Sequence, residues 1–305
     1  MVRFILRRLL VAVPTLLVVI TAAFFMMRLA PGGPFASDRI LPPKIEQNLL
    51  ARYGMDRPLY QQYFTYLGGV AHGDFGPSLK YTDKSVTGII AAGFPTSFRL
   101  GVMALIVGGV LGVLLGVVAA IRQNRAEDYT VTAIAILGVC IPSFVTGPLL
   151  VLLFAQTLGW LPTGGLVSAS GYVLPVAVLA LPQVAIISRL TRAGMVEALH
   201  ASHVRTARAK GLPEHVVVLR HALRPAMAPL VSYLGPAAAG LITGSLVVEQ
   251  IFGLAGIGKS FVASALQRDY TVLMGVVIVY AALIILLNLV SDVALALIDP
   301  RVRLT

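Results

Sequence analysis

The amino-acid sequence predicts an all-α polytopic membrane protein with six membrane-spanning helices and both termini cytoplasmic. Three observations lead there. The 305 residues are 57% hydrophobic and only 12% charged, with mean hydropathy +0.87. A soluble domain carries about 25% charged residues, so a soluble class is excluded. Apolar runs of spanning length recur at residues 9–27, 100–121, 130–156, 172–187, 226–248 and 272–297. The basic residues also segregate. With Arg3, Arg7 and Arg8 inside, six spans place Arg122, Arg125, the stretch from Arg189 to Arg224, Arg301 and Arg303 inside too. The short outer loops then carry only Lys259 and Arg268, as the positive-inside rule requires. A pI near 10.2 would suggest nucleic acid for a soluble chain. Here the basic loops orient the protein in a lipid bilayer, and no nucleic acid partner is expected.

Residues 1–29 resemble a signal peptide at first sight. The apolar run is long enough to span, however, and Arg28-Leu29-Ala30-Pro31-Gly32-Gly33 reads as a stop and a turn rather than a small-residue cleavage site. It is read as an uncleaved first span. Residues 30–97 form the one sizeable extracytoplasmic segment. Pro42-Pro43-Lys44 opens a helical pattern with Ile45, Leu49, Leu50 and Tyr53 on one face. Residues 59–67 follow, with Tyr60, Tyr63, Phe64 and Tyr66. An aromatic stripe of this kind is either a peptide-binding surface or, the favoured reading, a face that packs on the membrane interface or a neighbouring span.

Residues 98–298 hold the remaining five spans. The second carries Ala104, Gly108, Gly112, Gly116 and Ala120 at four-residue spacing. Such a small face admits another helix backbone closely. The third contains Cys140, the single cysteine, so no internal disulfide forms. The fourth is short and holds Pro175 and Pro182. The fifth is interrupted by Pro229 and Gly235-Pro236, with Ser232, Gly240 and Gly244 on one face and Tyr233 beside it. Broken helices of this kind line transport pathways. The sixth places Asn288 and Asp292 one turn apart, and an intramembrane carboxylate is a functional candidate by default. Ser232, Tyr233, Gly240, Gly244, Asn288 and Asp292 are therefore the candidate pathway or gate positions.

Two motifs need weighing. Gly253-Leu254-Ala255-Gly256-Ile257-Gly258-Lys259-Ser260 spells the phosphate-loop pattern G-x-x-x-x-G-K-[ST]. It follows a membrane span rather than a sheet strand, lies on the outer side, and has no α/β domain around it. It is read as a glycine-rich outer turn. His200 and His203 lie three apart but lack a third ligand, so they are read as polar loop residues and no metal site is expected. The sequence holds neither H-E-x-x-H nor G-x-S-x-G, so no catalytic residues are assigned and no cofactor is expected on this chain.

The densest polar feature is the basic island at 205–225, within a loop expected at 189–225. It holds Arg205, Arg208, Lys210, Arg220 and Arg224. Together with Phe4-Ile5-Leu6-Arg7-Arg8, Phe25-Met26-Met27-Arg28-Leu29-Ala30-Pro31-Gly32, His72-Gly73-Asp74-Phe75-Gly76-Pro77-Ser78, Arg205-Thr206-Ala207-Arg208-Ala209-Lys210-Gly211-Leu212, Glu249-Gln250-Ile251-Phe252-Gly253 and Gly256-Ile257-Gly258, it resembles the permease subunit of bacterial ABC peptide importers, over essentially the whole chain. The compact link between the third and fourth spans looks more like the oligopeptide branch than the dipeptide one. The resemblance implies the type I importer architecture and makes residues 205–212 a short coupling helix (the EAA loop) that docks into a cytoplasmic ATPase. Small Ala207 and Ala209 would seat in the cleft, the basic residues would pair with acidic groups at its rim, and Gly211 would match the loop's signature glycine. Arg205-Thr206-Ala207 stands where Glu-Ala-Ala would be, so a Glu-to-ATPase contact does not carry over; Leu223 and Pro225 roughly match the later Leu-Pro, with Arg224 between them. The implied partners are a homologous second permease subunit, two ABC ATPases holding ATP and Mg, and an extracytoplasmic peptide-binding protein. The alternative from another class is a secondary transporter or channel working without an ATPase.

Overall fold

The computed structural model describes residues 2–29, 43–81, 83–166, 168–243 and 245–298. Those residues are helical nearly throughout, and no strand occurs among them. Five helices are long and apolar enough to cross a membrane, and a bent pair makes a sixth. Helix α1 (Val2–Leu29) is followed by two short helices, α2 (Pro43–Arg52) and α3 (Leu59–Ala71). The aromatic stripe of α3 packs on α1. Phe24 lies 5.4 Å from Tyr63 and 6.0 Å from Tyr66, ring centre to ring centre, and the Tyr63 and Thr21 hydroxyls are 2.8 Å apart. Much of the rest of α1 is bare: Leu10 is 74% and Val18 67% exposed, as befits a lipid-facing surface.

Helix α4 (Val86–Ile121) begins well before the predicted span at residue 100 and runs across the 97/98 boundary. Ser85 caps it by accepting from the Gly88 N–H at 3.0 Å. At 36 residues it is about 54 Å long, so its first turns extend past the ~30 Å hydrocarbon layer. The apolar run marked only the immersed part. The expected third span is broken instead of straight. Helices α5 (Ala126–Cys140) and α6 (Ser143–Leu150) meet at 104°. Pro142 causes the break: it has no N–H to continue the ladder, and it drives Ile141 into extended backbone (φ −86°, ψ 115°). A π-helical turn, Val151–Thr157, prolongs α6.

A 3-10 turn, Ala169–Tyr172, leads into α7 (Val173–His200), which is far longer than the expected fourth span. Pro175 falls in the first turn, where no hydrogen bond is lost. Residues 189–200, expected in a loop, continue the helix because Thr191, Met195 and Ala198 form a buried stripe at helical spacing. Helix α8 (Ser202–Ala209) follows. Then come α9 (Glu214–Val216), a π-helical turn (Val217–Ala222) and α10 (Leu223–Ala226). The fifth span is α11 (Ala228–Thr243) and α12 (Leu246–Ile251). Helix α13 (Ile257–Gln267) and the long α14 (Tyr270–Ile298) are the last of the described elements. Helices α1, α4, α7, α11 and α14 share one bundle, with the 200–226 region and the Arg8 end of α1 at one end.

The central seam is α4 against α7. Ala104, Gly108, Gly112, Gly116 and Ala120 are all buried there. A Cβ on Gly112 would lie 2.7 Å from the Ile187 Cβ, and one on Gly116 2.6 Å from the Ser188 carbonyl oxygen. The backbones touch because these side chains are missing. Gly112→Val should therefore destabilise the folded chain by about 1–3 kcal/mol, read as a lower thermal midpoint of the solubilised protein. Gly109→Val is the control, since that position faces open space; equal loss from both would refute the seam.

Candidate functional site

The basic island folds as a small helical cap on the bundle. Ala201 leaves α7 in extended backbone, and α8 then turns across the bundle end. Val204 is fully buried and Ala207 is 4% exposed. Both enter an apolar cluster with Met195, Ala198, Val217, Val218 and Ala222. Leu212 N–H donates to the Ala207 carbonyl and Gly211 N–H to that of Arg208, with Gly211 at φ +74°. This is a Schellman closure, and the left-handed position favours glycine. The stop at Gly211 thus has a backbone cause.

The outer face of α8 presents Arg205, Thr206, Arg208, Ala209 and Lys210, and Gly211 and Leu212 are exposed after it. Ala207, expected to seat in a partner's cleft, instead faces the chain's own core. The Thr206 hydroxyl turns back on the Ser202 carbonyl at 3.0 Å. Arg208 grips Glu214 with both arms, Nη2 to Oε1 at 2.6 Å and Nε to Oε2 at 3.2 Å. The hydrogen bond from Arg208 holds the Glu214 carboxyl below its usual range. Arg208 is therefore already paired within the loop, whereas Arg205 and Lys210 make no ion pair among the described residues. His203 Nε2 lies 3.1 Å from the His221 carbonyl, which ties α8 to the following turn.

The helix beneath the island is anchored by a pair that sequence reasoning missed. Asp128, at the start of α5, has a side chain only 3% exposed. It receives Arg192 Nε at 2.5 Å and Nη2 at 2.7 Å, plus the Asn124 N–H at 2.9 Å. The Arg192 side chain is 32% exposed, so one partner of this bidentate pair is buried and the other reaches solvent; the two-armed geometry makes it directional. The available signal was the acidic pair Glu127-Asp128 in the first turn before an apolar run.

The candidate pathway positions do not converge. Ser232 and Gly240 lie on an exposed face of α11, where the Ser232 hydroxyl returns to the Ala228 carbonyl at 3.3 Å. Tyr233 turns the other way and donates to Gln183 Oε1 on α7 at 2.7 Å. Gly244 lies outside the described residues. Asn288 Oδ1 is buried without a hydrogen-bond partner among the described residues. Asp292 pairs with Arg8 of α1 at 3.0 Å and so ties α1 to α14.

The phosphate-loop lookalike has a structural explanation. Residues 253–256 form a turn, and α13 starts at Ile257. Two of its free N–H groups are taken: Lys259 N–H donates to Glu249 Oε2 at 3.1 Å, and Ile257 N–H donates to Ser97 Oγ at 3.0 Å. Ser97 in turn donates to Glu249 Oε1 at 2.6 Å, and Ser245 bonds the same oxygen. Glu249 is fully buried, and it occupies the anion position that a phosphate would need. Gly256 is required because a Cβ there would fall 2.2 Å from the Glu249 carboxyl carbon. A second buried acid, Asp269, caps α14 through the Val272 N–H at 3.3 Å and holds Ser78 and the Leu79 N–H (3.2 Å).

Comparison with known proteins agrees with this frame. Residues 112–304 match the family model described as binding-protein-dependent transport system inner membrane component, and residues 1–101 match its N-terminal companion. The oligopeptide transport system permease protein OppB of Escherichia coli (strain K12) is 52% identical over 305 residues, covering 99% of this chain and 100% of that one. The dipeptide transport system permease protein DppB of Bacillus subtilis (strain 168) is 41% identical over 304 residues, covering 100% and 99%. Among solved structures, the inward-facing MetNI methionine ABC transporter aligns with TM-score 0.61 at 17% identity, covering 69% of this chain and 96% of that one. That match concerns the fold. With both family models matched and such identity along its length, the chain belongs to the binding-protein-dependent transport system inner membrane component family.

Proposed function

We propose that this chain is one permease subunit of an ATP-driven ABC importer for peptides, with oligopeptides favoured over dipeptides. The observation that carries the reading is the 52% identity to OppB along the full length, against 41% to DppB. The chain then forms half of a translocation pathway. Its partners are a homologous second permease, two cytoplasmic ATPases that hold ATP and Mg, and an extracytoplasmic peptide-binding protein. The basic end of the bundle faces the cytoplasm, following the positive-inside rule.

In this reading α8 is the coupling helix. Val204 and Ala207 seat it on the chain's own core, and Arg205 and Lys210, without an ion pair among the described residues, are offered to acidic groups on an ATPase. Because α8 is closed by Gly211 and backed by α7, a push on it moves as a unit with α7. Closure of the ATPases on ATP would thereby bias the bundle between outward-open and inward-open arrangements. Ser232 and Gly240, on the bare face of α11, are the pathway positions best placed to meet the second permease across the route. Nucleotide chemistry stays with the ATPases, since Glu249 blocks the phosphate-loop lookalike.

Two outcomes test the reading. Gly211→Val puts a β-branched residue at φ +74°, where a side chain costs about 1–2 kcal/mol. It should cut peptide uptake by the reconstituted importer about tenfold or more, with membrane insertion unchanged; uptake at the wild-type rate sinks the coupling role. Lys259→Ala should leave ATP hydrolysis by the complex within about twofold of wild type, since only the Lys259 backbone N–H caps α13. Uptake by this chain alone in liposomes under an ion gradient would overturn the importer reading.

A further inference from the structure

A groove of 520 Å³ lies between α5 and α7, beside the Asp128–Arg192 pair. Thr132 of α5 forms one side, and Ile186, Arg189, Leu190, Arg192 and Ala193 of α7 form the other. Arg192 spends Nε and Nη2 on Asp128, so those two charges offset each other. Arg189, one turn earlier on α7, is exposed and makes neither an ion pair nor a hydrogen bond among the described residues. No acid lines the groove, so it keeps the charge of the Arg189 guanidinium. Depth decides what can meet that charge. The segment before Val173 is Ser168-Ala169-Ser170-Gly171-Tyr172, so the apolar stretch of α7 begins at Val173. At a rise of about 1.5 Å per residue, Arg189 lies about 24 Å and Arg192 about 29 Å further along. The hydrocarbon layer is about 30 Å thick, so both guanidiniums fall at its far edge, level with the lipid headgroups.

Apolar surface continues from the groove towards the middle of the membrane. Ile186 is part of its wall, and Ile136, one turn beyond Thr132 on α5, is 50% exposed. A cation without a partner above a bare apolar wall suits an amphiphile with an anionic head. Free phosphate would meet Arg189 and leave the wall bare. A neighbouring protein helix would need a carboxylate at this one depth, whereas the bilayer places a phosphate there on every side. We propose that the groove holds one anionic phospholipid, with its phosphate on Arg189 and the remaining Nη1 of Arg192 and an acyl chain along Ile186 and Ile136. Basic pockets between spans on the inner side of a membrane take anionic headgroups in this way. The inference needs only the bilayer and the groove, and it stands apart from the importer reading.

The test uses the protein with the subunits it carries through purification, in nanodiscs of equal phosphatidylglycerol and phosphatidylcholine. Native mass spectrometry after release from the disc reads the lipid retained. Wild type should keep phosphatidylglycerol over phosphatidylcholine by about tenfold, as expected for one charge-assisted contact. Arg189→Gln should abolish that preference, and Arg189→Lys should keep part of it, since the charge stays and the fork is lost. Ala193→Phe, which leaves both arginines and fills the groove, should lower retention of either lipid. Arg268→Gln, which removes a charge from the turn before α14, should behave as wild type. Equal retention of the two lipids by wild type, or the wild-type preference in Arg189→Gln, would overturn the proposal. So would displacement of the lipid by excess inorganic phosphate, the mark of a plain anion site, or a groove kept free of lipid because another subunit covers it. The readout involves no transport, so its failure leaves the importer reading standing, and loss of uptake leaves the lipid site standing.

Discussion

The close approach of α4 and α7 is the constraint on which the other parts depend. Lipid tails supply no hydrophobic force between helices, so the pair must be held by contact between backbones. Gly108, Gly112 and Gly116 permit that contact, because a Cβ at any of them would lie within 2.7 Å of atoms on α7. Helix α7 then continues without a break to His200 and turns into α8. The exposed basic helix is thus carried on the most tightly packed pair in the bundle, and its position is inherited from a row of missing side chains.

Charged groups secure the ends of this frame. Asp128 and Arg192 lock α5 to α7 near the basic end, and Arg8 and Asp292 join α1 to α14 there. At the other end Glu249 gathers Ser97, Ser245 and the start of α13, while Asp269 gathers the Ser78 turn and the start of α14. Buried carboxylates of this kind persist because each lies against helix-terminal N–H groups that lack intrahelical acceptors. They make the ends rigid where the apolar middle offers little direction.

Legibility in the sequence followed the range of the physics involved. Apolar length, small-residue spacing and the segregation of arginines are local or periodic signals, and they foretold the helical membrane class, the packing face of α4 and the place of the basic island. The stop at Gly211 was equally local. Helix ends were harder: α4 starts at a Ser85 cap upstream of its apolar run, and α7 runs on through arginines because one stripe of it stays buried. Ala207 looked like a residue for a partner's cleft and proved to face inward, since the direction of a short helix's face depends on what lies beneath it.

By itself the sequence determined that this chain must live in a membrane as helices, because only helices and closed barrels satisfy their backbone there and its apolar runs have the length of spanning helices, and it marked the basic island. Tertiary structure alone decided which acids meet which partners. Glu249 lies 152 positions from Ser97, Asp269 lies 191 from Ser78, and Asp128 lies 64 from Arg192. Pairings over such separations have no periodic trace, since they form only when packing brings distant turns together. That is also why Gly253 to Ser260 can spell a phosphate loop while the fold has already filled its anion site with Glu249.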